Sequence, residues 1–368
     1  MIGDKQLDNT DSSGISRLCG ALTQLASRGE KTSQSRLAAK GKVNSAVLNR
    51  QKRRSIMATI EIKPESYSYV FSPYLEPVAR VKPGDKVVMY TEDAFKSRIT
   101  SAEDLPSKAL ATAKFLNPQT GPVYIEGAEP GDTLAVHIES IEETRDFAVS
   151  CFINHFGGLT STSVTRFLQD PLPEKVWIWK LKEGSDGKYF FNDEIRVKVP
   201  WGPFMGTFAV APDLEAISSL SPGPFGGNMD VPDVKPGNTV YLPVFNPGGM
   251  FYTADCHAHQ GQGELCGVAL EITCKVTLTF KVIKGKKIEW PRIESDKAIM
   301  VVGSARPMED AGRIAYAELI LWMEQEYGFT RWQAYQLLTQ VGGLYVGNMV
   351  DTTYSLVASI DKRFLKRE

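Results

Sequence analysis

Three phrases of one style constrain the fold of this chain more than any other feature of its sequence. They are VKPGDKVVMYTED at 81–93, AEPGDTLAVHIES at 128–140 and VKPGNTVYLPVFN at 234–246. In each phrase, proline fixes φ at the first corner of a turn, glycine supplies the positive φ of a type II turn, and an alternating apolar run follows. Such alternation is typical of a β-strand with one buried face. Because the spacing between the phrases is irregular, they predict strands rather than a repeat fold.

Further strands are predicted between and after these phrases. They are VYIEGA at 123–128, YFFNDEIRVKVP at 189–200, VALEITCKVTLTFKVI at 268–283 and AIMVVGSA at 298–305. The second contains a polar hairpin tip, and the third alternates over most of its length. Together with the three phrases, these runs predict a mostly antiparallel β core that is sandwich-like or barrel-like.

The last third of the chain changes character and predicts two helices. The run 306–328 has Pro307 near its start, acids in its first turn and Gly328 as a stop. The next run, 329–343, opens with the capping-box pair Thr330 and Gln333. The fold class is therefore predicted as α+β, with a C-terminal helical pair.

The first 56 residues differ from the rest of the chain. They contain no aromatic residue, proline or histidine, and they carry 11 Lys and Arg against 4 Asp and Glu. Such a segment buries too little apolar surface to offset the entropy of ordering, so we predict a disordered basic extension over 1–56. A leader peptide, an extension without function and a misplaced start codon at residue 1 are the open readings. Residues 58–368 are predicted to form one α+β domain.

The charge balance and the cysteines narrow the class of partners. A formal net charge of -1 favours neither nucleic acid nor an anionic membrane. No apolar run reaches the length of about 18 residues that is needed to span a bilayer. The 5 cysteines include no C-x-x-C pair and read as free thiols, so a reducing, cytoplasmic location is expected.

The stretch TADCHAHQGQGELCG at 253–267 carries the clearest chemistry. It holds 2 of the 4 histidines in the chain. Asp255 and His257 lie two residues apart, and such residues point to the same side of an extended strand. A carboxylate and an imidazole on one side form half of a site for a divalent ion such as zinc. His259 continues this parity if the strand persists, and Glu264 follows two glycines that let the chain curl back.

Two other polar clusters could converge on this stretch. YTED at 90–93 ends the first phrase and offers Asp93 as a third metal ligand or a base. GPFGGNMD at 223–230 offers Asn228, which could donate a hydrogen bond to a substrate carbonyl or a developing oxyanion, and Asp230. Each cluster could equally be a polar strand end or an Asx turn.

Nucleophile and nucleotide motifs are absent from the sequence, which contains no G-x-S-x-G, P-loop or G-x-G-x-x-G. Cys256 and Cys266 flank the histidines and could act as nucleophiles. Cysteines beside apolar strand residues more often pack as small hydrophobic groups. Both readings stay open.

GNMD at 227–230, the run 241–271 and the run 117–138 closely resemble the acetamidase/formamidase family, and the similarity extends over about residues 60 to 360, including VGNMVD near the C-terminus. The resemblance implies a β-rich α+β fold and a homo-oligomer, either a dimer or larger. It also implies hydrolysis of short linear amides to a carboxylate and ammonia, and a divalent metal ion, with zinc the expected metal.

Carried onto this sequence, the resemblance matches Asp255, His257 and Asp93, which we expect to hold the metal, and Glu264, Asn228 and Asp230, which we expect to be catalytic. In this hypothesis Glu264 moves the proton and Asn228 stabilises the oxyanion. A cysteine-nucleophile amidase on the same fold and a non-catalytic metal- or amide-binding protein are the alternatives.

Three positions depart from the family pattern. Ala254 stands where glycine is usual, Gln262 where aspartate is usual, and Asn117 where histidine is frequent. Loss of a charge at 262 and of an imidazole at 117 bears on the choice of substrate and on metal binding, and not on the fold.

Overall fold

The computed structural model describes residues 58–160, 170 and 172–366. The predicted disordered extension over 1–56 lies outside the described residues. The strands are β1 (Thr59–Ile62), β2 (Val70–Phe71), β3 (Ala79–Val81), β4 (Lys86–Thr91), β5 (Thr120–Ile125), β6 (Thr133–Glu143), β7 (Phe147–Phe152), β8 (Lys175–Gly184), β9 (Gly187–Phe191), β10 (Lys198–Pro200), β11 (Phe204–Ala209), β12 (Ile217–Ser218), β13 (Gly226–Asn228), β14 (Thr239–Pro243), β15 (Phe251–His257), β16 (Glu271–Ile272), β17 (Cys274–Ile283), β18 (Arg292–Glu294), β19 (Ala298–Ala305), β20 (Gly343–Asn348) and β21 (Tyr354–Asp361). The helices are α1 (Pro106–Ala109), α2 (Met308–Tyr327) and α3 (Arg331–Val341), and a 3-10 turn spans Lys362–Phe364.

The three Pro-Gly phrases feed neighbouring strands of one sheet. Its nine strands lie in the order β1-β4-β17-β6-β14-β18-β19-β21-β20. The phrases enter β4, β6 and β14, and β17, the long alternating run, lies between β4 and β6. All of these pairings are antiparallel except the one between β1 and β4. The turn chemistry thus predicted the centre of this sheet correctly.

The second large sheet carries the histidine-bearing stretch. Its main path runs β10-β9-β8-β7-β16-β15-β11-β13, with β5 paired to β15 and β3 paired to β5. The predicted hairpin over 189–200 is confirmed, because β9 and β10 pair antiparallel with Lys198 opposite Phe191. A two-stranded ribbon of β2 and β12 completes the described strands.

The two large sheets share one hydrophobic core. Phe251 on β15 meets Phe280 on β17 with ring centroids 5.2 Å apart, and it meets Phe208 on β11 at 4.8 Å. All three rings are buried, and each contributes about 1.5–3 kcal/mol when its side chain leaves water. The prediction of a mostly antiparallel β core is confirmed. The barrel-like variant is not, because the strand order of each large sheet is open among the described residues.

The predicted helical pair is also confirmed. Gly328 ends α2 in the left-handed conformation, at φ 70°, as expected for a C-terminal stop. Thr330 and Gln333 form the predicted capping box of α3. The buried side of α2 packs on β19 and β21, and Gly303 permits close contact, since a Cβ there would lie 2.2 Å from the carbonyl oxygen of Ala311. Within the described part of the chain, none of the helices is long and apolar enough to cross a membrane.

Candidate active site

The histidine-bearing stretch enters the interior of the second sheet as β15. Every residue of this strand is buried, and it lies between β11 on one side and β16 on the other. His257 pairs with Phe204 of β11 and with Glu271 of β16. The strand ends at His257, so the expected parity does not extend to His259. Burial of a strand that carries an aspartate and a histidine requires partners for both.

Asp255 and His257 do meet, as the sequence predicted. The His257 Nε2 atom lies 3.5 Å from Asp255 Oδ2 and 3.5 Å from Glu271 Oε1. Asp255 takes a left-handed conformation, with φ 60°, that non-glycine residues rarely adopt. One imidazole nitrogen therefore faces two carboxylates. Glu271 was missed from the sequence because only the pairing of β15 with β16 places it beside His257.

Glu264 reaches the same place from the loop that follows β15. Its carboxylate, His257 and Glu271 offer ligand atoms within 4.8 Å of one another. The curl that brings it back uses Gly263 at φ 86°, and Glu264 itself has φ 48°. The Gly263 amide donates to the carbonyl oxygen of Val346 at 2.9 Å, which fastens the loop to β20. The predicted return of Glu264 toward the histidine is thus seen in the geometry.

Asp230 reaches the imidazole from the segment that follows β13. Asp230, Asp255 and His257 form a second group of ligand atoms within 4.8 Å. The Asn228 side-chain amide donates to Asp230 Oδ2 at 3.0 Å and to Asp351 Oδ2 at 2.9 Å. Both of its hydrogens are therefore engaged with carboxylates. In this geometry Asn228 holds two acids in place and has no free hydrogen for an oxyanion.

Asp351 and Asn348 complete the cluster. Neither is among the site residues that the sequence predicts. The Asn348 side-chain amide donates to Asp230 Oδ2 at 3.1 Å and to Asp351 Oδ2 at 3.2 Å. Both residues lie in VGNMVD, in and after β20. The resemblance covered this segment, but only the folded chain shows it beside Asp230. Two asparagines, one from each of two segments that are more than a hundred residues apart in the sequence, thus brace two carboxylates.

Gly206 on β11 forms the floor of the cluster. A Cβ at this position would lie 2.8 Å from Asp230 Oδ1, 2.8 Å from His257 Cε1 and 2.9 Å from Asp255 Oδ2. Even the smallest side chain would therefore have to displace one of these groups. The absence of a side chain here is a requirement of the site.

Five carboxylates are buried together at this site, and none of them has a Lys or Arg partner among the described residues. They belong to Asp230, Asp255, Glu264, Glu271 and Asp351. Among the described residues, no Lys or Arg nitrogen lies within 4.0 Å of any of their oxygens, and His257 is the only cationic group in contact. Burying several like charges together is expensive unless a cation or protons neutralise them.

The pKa values follow from this crowding. Burial, reinforced by the neighbouring carboxylates, raises the pKa of Asp230 and of Glu264 well above the ordinary values. Burial also raises the pKa of Glu271 to about 8 and that of Asp351 to about 7. For His257 burial acts to lower the pKa, but the carboxylates of Glu271 and Asp255 outweigh it and raise the pKa to about 10. In the absence of a metal, the cluster retains protons.

The donor atoms fit a divalent cation. Within the part of the chain that the structure describes, three buried carboxylate oxygens have no hydrogen-bond partner, namely Asp230 Oδ1, Asp255 Oδ1 and Glu271 Oε2. Buried unpaired oxygens are rare in folded proteins and call for an unseen partner. Carboxylate oxygens with one imidazole nitrogen form a ligand set that zinc and other first-row ions accept.

The structure does not bring Asp93 into either group. Its Oδ2 atom is 2.6 Å from Arg145 Nη1, and its Oδ1 accepts hydrogen bonds from the amides of Phe95 at 3.0 Å and Ser97 at 2.8 Å. Both oxygens are thus satisfied by other partners. A carboxylate at the end of a strand was a reasonable candidate from the sequence, but its arginine partner lies 52 residues away and could not be inferred.

The three residues that depart from the family pattern do not belong to either group of candidate metal ligands. Asn117 is buried at φ 58°, and its side-chain amide donates to Asn228 Oδ1 at 2.7 Å. It therefore supports a residue that braces the acids. Gln262 is exposed, and Ala254 does not have a positive φ. Neither of these two changes removes a group that contacts the buried cluster.

The thiols are poorly placed for attack. Cys256 is fully buried in the hydrophobic core, and burial raises its pKa well above the ordinary value. The Cys266 thiol donates to the carbonyl oxygen of Val268 at 3.2 Å. The ring nitrogens of His257 face Gln260 and the two carboxylates, so the histidine does not activate either thiol in this structure.

Fold and site together define a two-sheet α+β protein with a buried carboxylate–imidazole centre. The sequence model of the acetamidase/formamidase family matches residues 60–221 and 213–353 of this chain. The chain therefore belongs to the acetamidase/formamidase family.

Solved structures and a curated relative agree with this assignment. The crystal structure of acetamidase from Yersinia enterocolitica is 44% identical with a TM-score of 0.81, and the match covers 85% of this chain and 94% of that one. For acetamidase from Bacillus halodurans the identity is 28% and the TM-score 0.73, over 83% of this chain and 98% of that one. A formamidase of Methylophilus methylotrophus is 28% identical over 262 residues, which is 58% of this chain and 63% of that protein. The chain thus spans less than two thirds of the length of that curated relative.

Proposed function

We propose that this protein hydrolyses short linear amides, of the size of formamide or acetamide, to a carboxylate and ammonia. The observation that carries the proposal is the convergence of Glu264 on a cluster of acids around His257 that has unpaired, buried oxygens. The names of its relatives, formamidase and acetamidase, support the same chemistry.

We propose that the cluster holds one divalent ion, with zinc the expected metal. Asp255 and His257 are common to our sequence-based ligand set and to the structural group that also contains Asp230. Glu271, whose Oε1 lies 3.5 Å from the His257 Nε2 atom, is the fourth candidate and replaces Asp93 in the set. A bound divalent ion would supply Lewis acidity and would lower the pKa of water from ~15.7 to about 7.

Glu264 is the proposed general base and acid. It is close to His257 and Glu271, and the preceding residue, Gly263, is hydrogen-bonded to β20, which holds the loop that carries the Glu264 carboxylate. It would accept a proton from the attacking water and return it to the leaving nitrogen, because an amine leaves poorly unless it is protonated. Burial raises the pKa of Glu264 well above its ordinary value, which makes its carboxylate a stronger base than that of an exposed glutamate.

The remaining acids and amides have a bracing role in this proposal. Asn228 and Asn348 each donate to both Asp230 and Asp351, which fixes these carboxylates beside the imidazole. The sequence predicts that Asn228 stabilises the oxyanion, but both hydrogens of its side-chain amide are engaged with Asp230 and Asp351. In this proposal Asn228 braces the acids, and Asp230, which the sequence predicts to be catalytic, is a candidate metal ligand that is braced by the two asparagines.

The size of the substrate predicts weak binding. The best small ligands gain at most about 1.5 kcal/mol per non-hydrogen atom. Formamide has three such atoms, so its binding energy is at most roughly 4.5 kcal/mol, which corresponds to about millimolar affinity or weaker. We also propose that the protein is a homo-oligomer, a dimer or larger, as the family resemblance implies, and that it is cytoplasmic, as its free cysteines predict.

The test is ammonia release from a panel of formamide, acetamide and longer linear amides. Protein as purified, protein treated with a chelator and protein reloaded with zinc are compared, with metal content measured in each. We expect activity to follow metal content, and Glu264→Gln to lower kcat by about 100- to 10,000-fold with the fold unchanged. Full activity after verified metal removal would refute the metal role, and an unchanged rate in Glu264→Gln would refute the base.

The two alternatives give different results in the same assay. A cysteine-nucleophile amidase would lose activity on thiol alkylation and would be protected by substrate. The burial of Cys256 makes this the less favoured mechanism. A binding protein without catalysis would bind amides in calorimetry and release no ammonia.

A further inference from the structure

We infer that Gln260 is a positioning residue that fixes the tautomer and the orientation of His257, so that the Nε2 atom faces the acids as an electron-pair donor. The inference rests on the proposed function, because it concerns how the chain presents this nitrogen to a cation. The side-chain amide of Gln260 makes three hydrogen bonds, and these carry the inference.

The orientation of the Gln260 amide is determined by its partners. Its Nε2 atom lies 3.0 Å from the carbonyl oxygen of Asp230 and 3.0 Å from the carbonyl oxygen of Gly347. Main-chain carbonyls only accept hydrogen bonds, so the group that faces both of them must be the amide NH₂. The usual ambiguity between the nitrogen and the oxygen of a glutamine side chain is therefore absent here.

The oxygen of Gln260 then determines the protonation of the imidazole. Gln260 Oε1 lies 2.8 Å from His257 Nδ1, and an amide oxygen has no hydrogen to give. The Nδ1 atom must therefore carry hydrogen. In neutral His257 the lone pair is then on Nε2, the nitrogen that lies 3.5 Å from Asp255 Oδ2 and from Glu271 Oε1.

This arrangement is stable only with a positive charge between the groups. A lone pair that faces two carboxylates is repulsive, and protonation of Nε2 or a cation relieves the repulsion. Because Gln260 Oε1 accepts the Nδ1–H hydrogen bond, the neutral imidazole keeps its proton on Nδ1. It therefore cannot present an N–H group to the acids unless Nε2 is also protonated. Such outer partners of metal-binding histidines commonly raise metal affinity.

The anchors of Gln260 also couple the imidazole to the acids. Asp230, whose carbonyl is one anchor, belongs to the cluster itself, and Gly347, whose carbonyl is the other, directly precedes Asn348. Displacement of Gln260 would thus loosen His257 relative to the segments that carry Asp230 and its brace.

The loop offers a matched control. Gln262 lies two residues further on and is exposed, so Gln262→Met makes the same chemical change away from the cluster. Gln260→Met removes the acceptor and both donors at nearly constant length. Gln260→Glu retains an acceptor for Nδ1–H but loses the two donors to carbonyls, and it serves as the conservative variant.

The experiment measures zinc affinity by competition with a chelator, and the imidazole nitrogens by NMR of histidine-labelled protein. The chain has only 4 histidines, so His257→Gln identifies the signals of His257. We expect zinc-loaded protein to show a protonated Nδ1 and a ligated Nε2. Gln260→Met should lower zinc affinity about 10- to 100-fold and lose the slow exchange of the Nδ1 proton, Gln260→Glu should recover part of the affinity, and Gln262→Met should match wild type.

Three results would overturn the inference, namely a zinc-loaded wild type ligated through Nδ1, a folded Gln260→Met with wild-type affinity, or a wild type that binds no zinc. Folding of each variant is followed by circular dichroism. Failure of the proposed function is separate, because the expected spectra and affinities without any ammonia release would refute the hydrolase and leave the role of Gln260 intact.

Discussion

Asp93 and Asp255 are both buried aspartates that the sequence put forward as metal ligands, and the protein treats them differently. Asp93 is fully buried, but it has Arg145 and two main-chain amides as partners. Asp255 has no Lys or Arg partner, and its Oδ1 atom is unpaired. A buried unpaired polar group costs about 1–3 kcal/mol, and a charged one costs more. Burial alone therefore does not separate the two acids, whereas the unsatisfied oxygen of Asp255 does.

Backbone conformation also distinguishes Asp255 from Asp93. Asp255, Asp230 and Glu264 have φ values of 60°, 51° and 48°, and Asp93 is not among the residues with positive φ. Such conformations cost about 1–3 kcal/mol each for non-glycine residues and persist only where the surroundings enforce them. Strain and unpaired charge thus coincide at one cluster, which is typical of a site that is arranged for a ligand.

The largest expected effect is on catalysis at Asp255. Asp255→Asn removes a proposed ligand charge and should lower kcat/KM for formamide by about 10,000-fold, as is found when the buried aspartate of a serine-protease triad is replaced by asparagine. The metal-free variant should be at least as stable as metal-free wild type, because it relieves crowding between carboxylates. Ammonia assays and urea unfolding measure the two effects. Retained activity, or a large loss of stability, would place Asp255 in the same class as Asp93.

The matching change at Asp93 should affect stability instead. Asp93→Asn leaves Arg145 largely buried without its counter-charge, which costs about 3–5 kcal/mol. Per folded molecule, kcat should stay close to wild type. Urea unfolding of Asp93→Asn is compared with the double variant Asp93→Asn/Arg145→Met, which should recover part of the loss. If Asp93→Asn folds and has no activity, the prediction is wrong and Asp93 is again a candidate metal ligand.

The pH dependence of stability offers a smaller test on the cluster side. In the metal-free protein the pKa of Asp351 is raised from 3.8 to about 7 and that of Glu271 from 4.5 to about 8. At a pH between the unfolded and the folded pKa of each group, the folded state binds more protons than the unfolded state. The free energy of unfolding must therefore fall as pH rises through this range. The slope is at most about 1.4 kcal/mol per pH unit for each such group.

Thermal unfolding of chelator-treated protein between pH 5 and pH 8.5, values chosen to bracket the two folded pKa values, should therefore give a Tm that falls with pH. Asp351→Asn should flatten this slope. Zinc-loaded protein should show the opposite trend at low pH, because protons compete with the metal for the same oxygens. A flat profile for the metal-free wild type would mean that the carboxylates are neutralised by something other than retained protons.

The sequence predicted the fold well because the relevant information is local. Pro-Gly turns, alternation over 268–283 and the capping box at Thr330 act through neighbouring residues, and each was found in the structure. The same holds for the meeting of Asp255 with His257, which are two residues apart, and for Glu264 a short loop away.

The rest of the site depends on contacts between distant segments. Asp351 approaches Asn228 across 123 positions of sequence, and Glu271 faces His257 only because β15 and β16 pair in one register. The ion pair that removes Asp93 from the ligand set is equally non-local. Sequence spacing does not encode such contacts, so residue types alone could not separate a satisfied acid from an unsatisfied one.

The smallest expected effect is at Gln262, where the family usually has aspartate. Asp93 and Asp255 are both buried and differ in whether their oxygens have partners, whereas residue 262 is exposed, so that water can solvate a carboxylate there. Gln262→Asp should therefore change the free energy of unfolding by no more than about 0.5 kcal/mol, as for other surface substitutions, and kcat/KM by about twofold or less. Ammonia assays at low and high salt check this, since any effect of an exposed charge on the site is screened within about 10 Å at 0.1 M salt. A salt-independent change of tenfold or more would mean that position 262 contacts the substrate or the ion, and that an acid can act here without being buried.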